Sequence, residues 1–432
     1  MNDPGERARS PFSRIGLWLA PTVVVAVLMS ALAAAYLGGS LNSSDNIADF
    51  PIAIVNDDTG ATLPDGSTME AGDQVTEGIV AGIDDTQFDL SQLTLAEAEA
   101  QMNTGELYGT IVIPSTFSED LLAWAIGAVA PGDEVEQPGV KMLTNQRAGT
   151  AAATIAGTAG TAALAAADTE LGTQLTALVA QLQQATGSTT PLTSTASAAL
   201  SQPLAISVEH FRPLPAGTGN GLSAFYYALL LVLAGFTGSL AANTLIDSRL
   251  GFLPTEFGPL YRLEKNSGAS RRATLLAKWG VGALTALVVS TLYVSIAAAL
   301  GMPIDDPWRA WAFGAAMIFG VSVVVQAINA LVGNAGMLIN MLVFIVLGLP
   351  SAGGTLPIEA TPPFFRWLST FEPLHQVYLG TRSVLYFDGT WESGLGRALT
   401  AAAIMTIVGL VVGLIGVSLY DRTRHTRGEP TV

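Results

Sequence analysis

Ile15–Gly38 reads IGLWLAPTVVVAVLMSALAAAYLG, 24 residues without a charge. At ~1.5 Å of rise per residue, such a run crosses the ~30 Å hydrocarbon layer of a bilayer as one helix. Comparable runs return only after Gly221, at 222–246, 275–300, 308–331, 336–349 and 399–419. One hydrophobic stretch thus stands in front and five behind, with a long acidic, polar segment at 39–215 between them. The expected fold class is an α-helical polytopic membrane protein, its six transmembrane helices arranged one plus five. An extracytoplasmic α/β domain is inserted between helices 1 and 2.

Composition agrees with that class. Half of the 432 residues are hydrophobic and 12% are charged, against about 25% charged in an ordinary soluble domain. No cysteine is present, which removes disulfides and Cys-based metal or redox chemistry. Arg outnumbers Lys 16 to 3, the bias of a GC-rich bacterial genome. The net charge of −16 is unevenly spread: 1–14, 247–278 and 421–432 hold twelve of the 19 basic residues and seven of the 35 acids. Basic residues near span ends mark the cytoplasmic side. Both termini (1–14 and 421–432) and the 247–274 loop are therefore expected in the cytoplasm, with 350–397 and the acidic domain outside. A cleaved signal peptide is the rival reading of the first span. Its apolar core would be ~7–15 residues, so a retained anchor is expected at 15–38.

Within the outer domain, FPIAIVN (50–56) followed by Asp57-Asp58-Thr59-Gly60 reads as a strand and turn. LAEAEAQMNTG (95–105) reads as a helix with a Gly stop, and ELYGTIVIP (106–114) as a strand. Ser115 is expected to cap a helix to about Val129, followed by strands at 140–143 and 204–209. Residues 149–185 read as one long helix. Its front half is charge-free, but Ala, Thr and Gly are too weakly apolar for hydrocarbon, so close packing in the outer domain, or a dimer contact, is expected. Ser188–Ser201 reads as a polar linker.

Chemistry-bearing motifs are sparse. There is no GxxxxGK[ST] loop to cradle nucleotide phosphates, and His210, His375 and His425 share no metal-ligand spacing. The acid pairs Asp57-Asp58, Asp84-Asp85 and Asp305-Asp306 read as solvated turns. No enzyme activity, cofactor, metal or nucleic-acid partner is expected. No ionisable residue falls near the middle of an expected span, which disfavours a proton-coupled carrier. Ser322, Gln326, Asn329 and Gly333, spaced 4, 3 and 4 apart, share one helix face. With Asn340 and Asn243 they form either a polar substrate path or interhelical hydrogen bonds worth ~0.6–2 kcal/mol each. Gly409 and Gly413 form a GxxxG packing hint in the last span.

The inside loop 247–278 carries Pro254, a mixed-charge segment Glu256–Lys265 that includes Arg262, then Arg271-Arg272 and Lys278. It reads either as a short amphipathic helix that docks a cytosolic partner or as a plain positive-inside anchor.

Several segments together look familiar: FPIAIVNDDTG (50–60), GELYGTIVIPSTF (105–117), ASRRATLLAK (269–278), LPSAGGTLPIEATPPFF (349–365) and 368–382. They resemble the YhgE/Pip (phage infection protein) group and the related DUF3533 proteins, which look like membrane subunits of ABC-2-type exporters. The resemblance spans nearly the whole chain. It implies a six-span, permease-like unit of the bacterial plasma membrane that works as a homodimer with a separate ATP-binding subunit. Pro254, Arg271 and Lys278 would lie in its coupling loop, joined by Glu256 and Arg262. Pro357, Pro362, Pro373 and Arg382 would lie in outer-leaflet helices. The expected function is outward movement of a lipophilic compound or envelope component. The alternative is a cell-envelope receptor or secretion-accessory protein acting through the outer domain.

Overall fold

The computed structural model describes residues 15–63, 66–129, 136–186 and 194–423. The expected cytoplasmic N-terminus, the end of the C-terminal tail and the first half of the Ser188–Ser201 segment lie outside the described residues.

Helix α1 (Ile15–Ser40) leads into the α/β domain. There follow β1 (Phe50–Asn56), the small β2 (Ala61–Thr62) and β3 (Thr68–Met69) hairpin, α2 (Ala71–Gly82), β4 (Phe88–Gln92) and α3 (Leu95–Thr104). Then come β5 (Gly109–Ile113), α4 (Phe117–Val129), β6 (Gly139–Thr144), α5 (Thr150–Thr186), α6 (Ser194–Ser201) and β7 (Ala205–His210). The main sheet has the order β4-β1-β5-β6-β7, parallel except where β5 meets β6.

The apolar run of β1 follows from that position. Phe50, Ile52 and Ile54 face a core closed by α2, α4 and α5, while Ala53 and Val55 pack on the opposite face with Ala98 and Met102 of α3. A strand covered on both faces needs side chains that are apolar throughout. Helix α3 starts at a Thr94–Glu97 capping box and ends at Gly105, whose φ of +78° suits a residue without Cβ.

Two expectations need correction here. Asp58 is not a solvated turn residue. Its carboxylate accepts from the amides of Gly72 and Ser118, at 3.0 and 2.9 Å, and so pins the starts of α2 and α4. The end of the supposed linker forms α6, held by Leu200, which is fully buried. Sequence reading also missed α2 and the edge strand β4, because neither has a strong turn or periodicity signal at its borders.

The chain then forms α7 (Leu222–Arg249), a hairpin of β8 (Thr255–Phe257) and β9 (Leu260–Arg262), α8 (Arg271–Ala299) and α9 (Pro307–Val332). Helix α10 (Ala335–Met341) continues as a π-helical turn, Leu342–Leu347. Shorter pieces follow: a 3₁₀ turn at Ile358–Ala360, α11 (Pro363–Ser369) and α12 (Pro373–Tyr386). A π turn at Trp391–Leu395 then opens α13 (Gly396–Arg422).

Among the described residues six helices are long and apolar enough to cross a membrane: Pro21–Ser40, Thr150–Gln181, Leu222–Arg249, Arg271–Ala299, Pro307–Val332 and Trp391–Arg422. Thr150–Gln181 is the exception in kind. It lies along the sheet, burying Ala152, Ala156, Leu164, Leu171 and Val179 in the domain core. The segment expected as the fifth span is instead the shorter apolar helix Ala335–Leu347. It runs back from the Gly333 turn, and the Tyr36 hydroxyl of α1 donates to its Ile345 carbonyl at 3.4 Å.

Helix α9 is the hub of the apolar bundle, packed by α7, α8, α10 and α13. Small residues allow the approach of α13: Gly409 faces Val323 and Val324, and Gly413 faces Trp279 and Ala327. Helix α1 stays largely exposed, meeting the bundle near Val346 and Phe365.

Candidate functional site

Contacts define two ends of the bundle. At the end away from the α/β domain, the amides of Arg271 and Arg272 donate to the two Asp421 carboxylate oxygens, at 3.1 and 3.2 Å. The Tyr420 hydroxyl donates to the Leu331 carbonyl at 3.0 Å, and the Arg271 guanidinium lies 5.7 Å above the Tyr420 ring. The β8–β9 hairpin projects from this end.

The residues expected in the coupling loop divide into two groups. Pro254 precedes β8, Glu256 lies in β8, and Arg262 lies in β9, where its Nε donates to Glu264 at 2.7 Å in an exposed pair. The amphipathic helix, one of the two readings of Glu256–Lys265, is not formed. Phe257 pairs with Leu260 across a two-residue Gly258-Pro259 turn, and Gly258 takes φ +57°. Gly-Pro between β-favouring Thr, Phe, Leu and Tyr is a hairpin signal, and it could have been read from the sequence. The hairpin exposes Phe257, Leu260 and Tyr261 by 70%, 72% and 64%.

Arg271 and Lys278 belong instead to the first two turns of α8, whose N-cap Ser270 accepts from the Ala273 amide. Lys278 is only 6% exposed. Its ammonium donates to Asp247 Oδ2 at 2.9 Å and also to Asn243 Oδ1. Sequence reading places Arg271 in the 247–274 loop, and gives Lys278 both to the coupling loop and to the expected span 275–300. The apolar windows of 222–246 and 275–300 set the helix ends, yet α7 and α8 run past them by several residues. A buried ion pair of this kind loses ~3–5 kcal/mol when one partner is removed.

The polar face expected on α9 is brought together, with its groups turned toward neighbouring helices. Ser239 Oγ of α7 donates to Ser322 Oγ at 2.9 Å, and Gln326 Nε2 donates to the Ser239 carbonyl at 3.3 Å. Asn340 Nδ2 of α10 donates to Asn329 Oδ1 at 3.1 Å and to the Val325 carbonyl at 3.2 Å. Ser322, Gln326, Asn329 and Asn340 are all buried. This is the interhelical hydrogen bonding that a low-dielectric bundle requires. Asn243 does not join this face; it lies with Lys278.

At the other end, the α/β domain docks on α12. Pro357 precedes the 3₁₀ turn, Pro362 is the N-cap of α11, and Pro373 opens α12. Proline suits these positions because its fixed φ fits a helix start and it needs no amide partner there. Arg382 of α12 is buried. Its Nη1 donates to the Ala148 carbonyl, and its guanidinium lies 5.8 and 5.5 Å over the rings of Tyr378 and Phe387. Gly105 packs against Phe387 and Arg382 so closely that an added Cβ would lie 3.0 and 3.2 Å from them.

Nearby, Arg147 bridges Arg212 O and Tyr386 O, each at 2.7 Å, and Tyr108 donates to Glu359 at 3.0 Å. Burial raises both the Glu359 carboxyl and the Tyr108 hydroxyl, which favours their protonated forms. Glu372 caps α12, accepting from the His375 amide at 2.9 Å. Burial pushes Glu372 up to about 7 and His375 down to about 4.

One end thus carries an exposed apolar hairpin joined to two bundle helices, and the other carries a folded domain clamped to a short helix. The arrangement is that of a multi-pass membrane protein. The profile described as ABC-2 family transporter protein matches residues 16–417. This chain therefore belongs to the ABC-2 family of transporter membrane proteins. Over 151 residues it is 24% identical to the uncharacterized protein YhgE of Bacillus subtilis (strain 168), a match covering 35% of this chain and 18% of that relative. The chain thus spans less than a fifth of that relative's length. No solved structure matches the chain.

Proposed function

We propose that the chain is the permease-like subunit of a bacterial plasma-membrane exporter, acting as a homodimer with a separate cytosolic ATPase. The hairpin end faces the cytoplasm in this reading, which the clustering of basic residues in 1–14, 247–278 and 421–432 supports. Aromatic side chains at the domain-facing end mark it as a membrane–water interface in this reading. Trp308, Trp367 and Trp391 are exposed there, as expected where helices leave the hydrocarbon. The cargo is a lipophilic compound or envelope component moved outward.

The observation that carries the reading is the β8–β9 hairpin. Three large apolar side chains presented to solvent on a two-stranded ribbon lose free energy unless a partner covers them. The hairpin is joined through 263–270 to α8, so force on it reaches Lys278, Asp247 and the bundle.

Affinity purification of the full chain from its native membrane, followed by ATPase assay, tests the proposal. An ATP-binding subunit should co-purify with the wild type, and Phe257→Ser with Tyr261→Ser should lower its recovery about tenfold or more. Wild-type protein that recovers no ATPase and changes no efflux when overproduced would defeat the reading.

A further inference from the structure

A recess of about 650 Å³ opens between α7 and α8 at their domain-facing ends, within the ~300–1,000 Å³ range of ligand pockets. Tyr226, Tyr227 and Leu230 of α7 form one wall, and Tyr293, Ile296 and Ala297 of α8 form the other. Gly217, Gly219 and Met302 cover the end nearest the α/β domain. That cover is anchored. Gly217, at φ +86°, lies too close to the Gly301 carbonyl for a Cβ to fit. Thr218 is buried, and its hydroxyl donates to the Pro215 carbonyl at 3.0 Å. The strap joining β7 to α7 is thus seated on the turn between α8 and α9, as a roof over the recess.

The lining suits neither an ion nor water. No charged side chain contributes to it, and the Ser223 hydroxyl is already paired with the Tyr386 hydroxyl at 2.8 Å. Water stays in a cavity only where several polar groups hold it, and an unfilled apolar void forfeits the dispersion contacts of its walls. Tyr226, Leu230, Ile296 and Leu300 are exposed, so the mouth lies on the apolar flank of the bundle.

Shape selects among apolar occupants. From Leu222 to Leu230 the α7 wall runs about 12 Å along the helix axis, and α8 runs beside it from Leu300 back to Tyr293. The slot is therefore long and parallel to the helices, the direction in which lipid chains lie. A protein helix, about 10 Å across, would need roughly 900 Å³ over that length. A second copy of the chain is too thick for the slot, and a single hydrocarbon chain is not.

We infer that this recess holds one acyl chain of a bilayer lipid, seated between the two tyrosine-bearing walls beneath the Gly217 strap. The inference does not rest on an ATPase partner or on transport.

The test uses the full chain in lipid nanodiscs containing phosphatidylglycerol with a diazirine midway along one acyl chain. After irradiation, peptide mass spectrometry locates the adducts. Tyr293 should be labelled well above Tyr36 of α1, an exposed tyrosine at the same end and away from the recess. Ala297→Trp fills the slot and should lower Tyr293 labelling about tenfold, whereas Ile407→Trp on the exposed flank of α13 should leave it unchanged. Should Ala297→Trp misfold, Leu230→Trp on the facing wall carries the test. Equal labelling of Tyr293 and Tyr36, or Tyr293 labelling unchanged in the folded, filled variants, overturns the inference. Absent labelling together with disulfide joining of two copies through Leu300→Cys would place a second chain there instead, and overturns it too.

Discussion

At the scale of single residues, buried charge is handled in two ways. Lys278 and Asp247 neutralise one another across α7 and α8. Glu372 has no cation in contact; it caps α12 with one oxygen, while Oε1 is buried without a partner. Its folded-state value near 7 lies above the ordinary 4.5. The stabilisation is therefore complete below pH 4.5 and is lost as pH rises through about 7. His375, depressed from 6.5 to about 4, acts the other way, losing its contribution as pH falls through that range. Glu372→Gln keeps the capping oxygen and removes the ionisation. The variant should be about 3 kcal/mol more stable than wild type at pH 8 and nearly equal to it at pH 4.5. Tryptophan-fluorescence melts in detergent would show this, and no gain at pH 8 would mean that burial does not raise the Glu372 carboxyl.

Elements show where local pattern suffices and where it does not. The charge-free front of α5 packs in the core of the α/β domain, because Ala, Thr and Gly pack closely against a sheet but partition poorly into lipid. The hairpin fits neither reading of its segment, amphipathic helix or plain anchor loop, because those readings weigh its charges and not its Gly258-Pro259 turn. Helix α13 depends on smallness: a Cβ at Gly413 would lie 3.0 Å from the Trp279 ring and 3.1 Å from Ala327. Gly413→Leu should cost about 1–3 kcal/mol by overpacking against α8 and α9. Gly280 of α8 has open space around it, so Gly280→Leu should be near neutral. Thermal unfolding of the two variants side by side checks this, and equal midpoints would remove the packing argument.

At the scale of the molecule, the hairpin and the α/β domain occupy opposite ends of one apolar bundle. If that bundle spans the bilayer with its basic end inward, residues at the two ends must differ in access to impermeant reagents. The chain has no native cysteine, so single substitutions report cleanly. Asp85→Cys in the outer domain should be labelled in intact cells by a membrane-impermeant maleimide. Gly258→Cys at the hairpin tip should be labelled only after permeabilisation. Labelling of both from outside would overturn the two-ended topology.

Much of this architecture was legible because hydrophobic length and alternation are local properties. The long apolar runs, the one-plus-five spacing, the β1 and β5 strands and the α3 stop at Gly105 each rest on neighbours in sequence, so the chain by itself determined them. What it left open depends on groups far apart that meet only on folding. Asp58 became a double cap because α2 and α4 start beside it. Asp247 and Lys278, 31 positions apart, became a buried pair once α7 ran past its apolar window to Arg249 and packed on α8. Arg382 became a clamp because Ala148, 234 positions earlier, presents a carbonyl to it. A side chain's charge is written in the sequence, but its dielectric surroundings and its partners are set by packing, and only the tertiary structure decided those.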